Sequence, residues 1–69
     1  MTIKLNGVLT EIPIKEVNLT QLLKIAEIPF EGKGVAIARN NDLAPRSNWD
    51  NEWIQEGDEI EIVSARQGG

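Results

Sequence analysis

Thr2-Ile3-Lys4-Leu5-Asn6-Gly7-Val8-Leu9-Thr10-Glu11 decides the architecture of this chain. Its first four residues alternate polar and apolar, the period of a strand with one buried face. Asn6-Gly7 then supplies the two positive-φ positions of a type I′ turn, the tightest way to fold a strand back on its neighbour. The returning strand is predicted over Val8 to Ile14. Pro13 has no N–H to give a ladder, so that strand belongs at a sheet edge or stops there. The chain therefore opens with a β-hairpin.

Beyond the hairpin the period changes. Asn18 is an N-cap residue with Gln21 three positions on, the spacing of a capping box. Leu19, Leu22, Leu23 and Ala26 fall on one helical face, and Pro29 forbids a long continuation. A helix over Leu19 to Glu27 follows, laying one apolar stripe on the sheet. Gly32-Lys33-Gly34 reads as a loop. Val35-Ala36-Ile37-Ala38 is a strand stopped by the Asn40-Asn41 turn pair. Leu43 to Pro45 has room for a short strand, and Ser47 to Trp53 for an irregular or single-turn helical connection. After the tight turn Glu56-Gly57-Asp58, the run Glu59-Ile60-Glu61-Ile62-Val63 alternates again, with Ile60 and Ile62 facing inward.

Strand, strand, helix, strand, short strand, strand is the order of an α+β roll, with one helix across one face of a mixed sheet of about four to five strands. Residues 1–65 are predicted to form the single domain and 66–69 a flexible tail. No further element is left to cover the second sheet face. On the parity of the strands that face carries Ala36, Ala38, Glu59, Glu61 and Val63, the candidate partner-binding surface. A register slip of one residue would exchange this set for its neighbours.

Composition narrows the function. With 69 residues the domain buries about 60% of the surface its unfolded chain exposes, leaving little room for both a core and a deep substrate pocket. Seven basic against eleven acidic residues give a net charge of −4, which repels nucleic acid and favours a basic protein partner. Cysteine and histidine are absent, which removes disulfides, thiolate nucleophiles, soft metal sites and the usual neutral-pH proton shuttle. No apolar run is long enough for a membrane span, and no signal-peptide pattern opens the chain. A cytoplasmic protein with no nucleic acid and no membrane partner is the expectation.

The internal candidates for chemistry read as structural. Carboxylates are scattered through turns and solvent-facing positions, with no pair implied in a cleft. The closest set, Asp58-Glu59-Glu61, reads as a solvated rim rather than a cation site. Glycines beside Lys33 suggest a phosphate cradle, but the Walker spacing is missing and no helix follows. Trp49 and Trp53 are expected to pack as core or lid, one ring half exposed, rather than to stack on a ligand.

The terminus stands apart. With glycine near 7% of residues, two in the last two positions arise by chance about 0.5% of the time, and no element follows for them to turn into. A main-chain carboxylate is a poor electrophile and needs activation, normally by transfer onto the α-phosphate of ATP. Glycine suits that chemistry because it has no Cβ to obstruct a narrow tunnel. Arg66 to Gly69, fully extended, reach roughly 13–14 Å from the domain.

Val35-Ala36-Ile37-Ala38, Leu43-Ala44-Pro45-Arg46 with Trp49, Gln55-Glu56-Gly57-Asp58-Glu59-Ile60 and the final Gly68-Gly69 together resemble the sulfur-carrier family of thiamine biosynthesis, the ThiS family. The likeness is strongest over residues 35–69. Before that it rests on element order and on Asn18-Leu19-Thr20-Gln21-Leu22-Leu23. The resemblance implies a ubiquitin-like β-grasp fold and a carrier with no bound cofactor and no catalysis of its own. An E1-like adenylyltransferase would spend ATP to adenylate Gly69, while Gly68, Gln67 and Arg66 thread into that enzyme. A cysteine desulfurase or another sulfur source would convert the acyl-adenylate to a thiocarboxylate, and thiazole synthase would consume the sulfur. The small subunit of molybdopterin synthase and a tRNA-thiolation carrier have similar ends and are the related alternatives. A β-grasp interaction module with an incidental tail is the alternative from a different class.

Overall fold

In the computed structural model, residues 1–28 and 34–64 are described. They comprise β1 (Thr2–Leu5), β2 (Val8–Glu11), helix α1 (Leu19–Ile25), β3 (Val35–Arg39), β4 (Asp42–Ala44), a 3₁₀ turn (Arg46–Asn51) and β5 (Glu59–Ser64). The five strands form one sheet in the order β2-β1-β5-β3-β4. Only the β1–β5 pair is parallel, so the sheet is mixed. This is the α+β roll that the sequence predicts.

The hairpin forms as its turn chemistry requires, with φ of 51° at Asn6 and 83° at Gly7. β2 lies at a sheet edge, the position Pro13 demanded, but it stops at Glu11 rather than Ile14. The Ile12 N–H bonds to the Met1 carbonyl at 2.7 Å, and its side chain turns into the core with only 2% exposed. Proline in the next position cannot extend the ladder, and Ile14 is left exposed.

Helix α1 begins at the predicted residue. Asn18 Oδ1 accepts from the Gln21 N–H at 2.8 Å, and Gln21 Oε1 accepts from the Asn18 N–H at 3.0 Å, a closed capping box. The helix ends at Ile25, two residues short of the expected Glu27. Ala26 is its C-cap and Glu27 adopts a left-handed φ of 58°, which no further turn of helix can follow. Leu19, Leu22 and Leu23 are fully buried, each contributing roughly 1.5–3 kcal/mol in burial, while Ala26 sits half-buried at the stripe's margin.

The core joins these leucines to Ile3, Ile12, Val17, Ile37, Ala44, Trp49, Ile54, Ile60 and Ile62. Ile60 and Ile62 thus face inward from β5, as their alternation predicts. Trp49 is buried and donates its indole N–H to the Ala44 carbonyl at 2.8 Å, so its one polar atom is satisfied in the core. The Arg46 guanidinium lies 5.0 Å from the centre of its ring. Trp53 is the half-exposed partner, and the division expected between the two tryptophans is the one found. β4 ends at Ala44 because Pro45, with φ −61°, becomes the N-cap of the 3₁₀ turn.

Two asparagines perform ladder work for β5. Asn6 Oδ1 accepts from the Ile62 N–H at 2.8 Å, and Asn40 Oδ1 accepts from the Glu59 N–H at 2.9 Å. Each side chain substitutes for a backbone carbonyl just past the end of a neighbouring strand. Their turn role is local and was predicted; this cross-strand role depends on residues 56 and 19 positions away.

Candidate functional site

The helix covers one sheet face, and the other carries the candidate surface. Directly opposed residues of paired strands point to the same side. Val63 faces Ala36, Glu61 faces Ala38, and Ala38 in turn faces Leu43 of β4. On the far side of β5, Lys4 of β1 adjoins Glu59. Ala36, Ala38, Glu59, Glu61 and Val63 therefore do share the uncovered face.

Leu43 belongs with them and was missed. It is 72% exposed, and Val63 is 63% exposed, so two large apolar groups flank the small Ala36 and Ala38. Leu43 could be found from sequence only by knowing that β4 pairs with β3 in this register, because a three-residue strand has too little alternation to show parity. Glu59 and Glu61 are exposed and lie two residues apart on the central strand. The face thus carries an apolar patch beside Glu59 and Glu61, with Lys4 next to Glu59 and the exposed Leu9 opposite Lys4.

β5 carries this patch toward the C-terminal end, and its last described residue, Ser64, pairs opposite Val35. Arg66, Gln67, Gly68 and Gly69 lie outside the described residues, as do the predicted tail and Gly32 and Lys33 of the suggested phosphate loop.

One acidic residue departs from expectation. Asp58 is no rim group: it is 7% exposed and fully engaged. Its Oδ2 accepts from Arg39 Nε at 2.9 Å and from the Gln55 N–H at 2.8 Å, and its Oδ1 accepts from Asn40 Nδ2 at 3.1 Å. Burial pushes the carboxyl pKa up, but the Gln55 and Asn40 donors and the Arg39 charge outweigh it and hold the group below the ordinary carboxylate range. Burial likewise opposes the Arg39 charge, and the hydrogen bond to Glu52 and the Asp58 charge overcome it, so the guanidinium pKa is raised. Arg39 Nη1 meets Glu52 Oε1 at 2.9 Å. Both Asp58 carboxylate oxygens are therefore committed to structural hydrogen bonds.

Among the described residues no group of three or more acidic side chains could hold a metal ion, and no helix is long and apolar enough to cross a membrane. A surface depression of about 300 Å³ is lined by Lys15, Glu16, Trp53, Ile54 and Gln55, with Glu16 its one carboxylate.

Comparison with known proteins agrees with this geometry. Residues 3–69 match the ThiS family. A crystal structure of a thiamine biosynthesis protein (ThiS) from Geobacter metallireducens superposes with a TM-score of 0.84 at 23% identity, covering 100% of both chains. A solution NMR structure of a thiamine biosynthesis protein from the same organism gives a TM-score of 0.81 at 26% identity, covering 100% of this chain and 88% of that one. No curated protein matches the sequence. The shared architecture is the β-grasp fold.

Proposed function

The chain belongs to the ThiS family of small ubiquitin-like sulfur carriers, and from that premise we propose that Gly69 carries sulfur as a terminal thiocarboxylate for thiazole formation in thiamine biosynthesis. The observation that carries the reading is that the family match runs through the final Gly68-Gly69. An oxygen of the Gly69 carboxylate attacks the α-phosphorus of ATP on an E1-like adenylyltransferase, and pyrophosphate leaves. Sulfide, supplied as such or released from a cysteine desulfurase persulfide by a reducing thiol, then displaces AMP from the acyl carbon. Thiazole synthase takes the sulfur, and the carrier returns as a carboxylate.

In this scheme the carrier binds no nucleotide itself and needs no side-chain nucleophile, which suits a chain without cysteine or histidine. Gly68 lets the end enter a narrow channel, and Gln67 and Arg66 span the approach. Five residues follow Ser64, a fully extended reach of roughly 17 Å. The uncovered sheet face docks the partner enzymes: Ala36, Ala38, Val63 and Leu43 meet an apolar patch, and Glu59 and Glu61 meet basic groups around it.

The test is incubation with ATP, the adenylating enzyme and a sulfur donor, followed by intact-mass spectrometry. One terminal oxygen should be replaced by sulfur, and deletion of Gly68 and Gly69 should abolish the change while leaving the circular dichroism spectrum intact. An unmodified mass beside an active enzyme, or full activity of the truncated chain, would refute the proposal and favour a binding module.

A further inference from the structure

The Asn6-Gly7 tip joins two features that bear on its covalent stability. Both residues are exposed, and nothing lies within 4 Å of where a Gly7 Cβ would sit, so the tip is open on that side. Asn6, however, is held on both sides of its Cα. Its N–H donates to the Ile60 carbonyl at 2.9 Å, and its Oδ1 accepts from the Ile62 N–H at 2.8 Å. Its Nδ2 makes no hydrogen bond to the described residues.

We infer that Asn6-Gly7 is a conformationally gated deamidation site, closed by the β1–β5 pairing and opened when that pairing parts. In the reaction the Gly7 nitrogen gives up its proton and bonds to Asn6 Cγ. The Cγ–Nδ2 bond breaks, and Nδ2 leaves with that proton as ammonia. Water then opens the resulting succinimide at one of its two carbonyls. One opening yields aspartate; the other yields isoaspartate, whose main chain runs through the former side chain.

Closure has a geometric cause. Cyclisation needs Cγ to swing onto the Gly7 nitrogen, while the Ile62 bond holds the side-chain amide toward β5. Asn6 sits just past the end of β1, so releasing it means parting the last β1–β5 hydrogen bonds, those of Asn6 with Ile60 and Ile62. Such a local opening requires only part of the global unfolding free energy, but it must precede cyclisation.

The two products have different fates. Aspartate keeps an acceptor oxygen where Ile62 needs one. Isoaspartate adds a methylene to the backbone inside a two-residue turn, disturbs the register of β2, and moves the carboxylate off the side-chain position. The Ile62 N–H then loses its partner two residues before Ser64.

The experiment holds the protein in mildly alkaline buffer, folded or in concentrated guanidinium chloride, and follows conversion at Asn6 by peptide-mapping mass spectrometry. Conversion should be roughly tenfold or more slower in the folded chain, and equal rates would overturn the gate. The aspartyl and isoaspartyl forms are then separated, refolded and unfolded in urea beside an Asn6→Asp variant. The variant and the aspartyl form should keep a midpoint near that of the parent, with the isoaspartyl form lower. Equal midpoints for the aspartyl and isoaspartyl forms would refute the assigned role of the Ile62 bond.

Discussion

Arg39 Nε donates a 2.9 Å hydrogen bond to Asp58 Oδ2, tying the last residue of β3 to the residue that precedes β5. The same guanidinium reaches Glu52 at 2.9 Å. Residues 52–54 are themselves strapped to the helix lead, since Leu19 N–H bonds to the Glu52 carbonyl at 3.1 Å and Ile54 N–H to the Val17 carbonyl at 2.9 Å. One cation therefore fastens three chain segments beneath the sheet's end.

Asp58→Ala removes the acceptor for three donors at once. It should destabilise the fold by about 2–4 kcal/mol, read as a lower urea midpoint with an unchanged slope. A loss within about 0.5 kcal/mol would show that the network is dispensable.

Acid should reveal the same carboxylate. The folded pKa of Asp58 is depressed, so its contribution is complete above the ordinary aspartate value of about 3.9 and disappears as pH falls through the lower folded value. Stability of the parent should therefore fall more steeply below about pH 4 than that of Asp58→Asn. Parallel urea-midpoint curves for the two proteins would contradict this.

Leu43→Asp and Val63→Asp place charge on the open face without touching the core. Each should weaken binding of the adenylating enzyme by roughly tenfold or more in calorimetry. Thermal stability should stay within about 0.5 kcal/mol of the parent. Unchanged affinity in both variants would move the docking surface elsewhere.

Charge reversal of Glu59 and Glu61 to lysine tests the two acidic groups of that face. Association measured by stopped flow should slow by roughly tenfold at low salt, with the gap closing as salt rises. A salt-independent rate in the parent would remove electrostatic steering from the account.

Much of this fold is readable without coordinates because its signals are local. Asn6-Gly7 sets the dihedral angles of its own turn, Asn18 and Gln21 cap each other three residues apart, and Ile60 and Ile62 report a strand by alternation. The parity of β3 and β5 then places Ala36, Ala38, Glu59, Glu61 and Val63 on one face. Element ends were less legible: β2 stops where Ile12 turns inward, and α1 stops where Glu27 turns left-handed, because tertiary packing competes with a pattern that could run further.

By itself the sequence determined the order of elements, the inward face of each long strand, the capped helix start and the Gly-Gly end, all properties of neighbouring residues. Tertiary structure alone decided that Asp58 is buried and paired, that Asn6 and Asn40 complete the β5 ladder, and that Leu43 joins the open face. Those outcomes depend on which distant residue arrives opposite, and strand pairing across the whole chain sets that, not any local period.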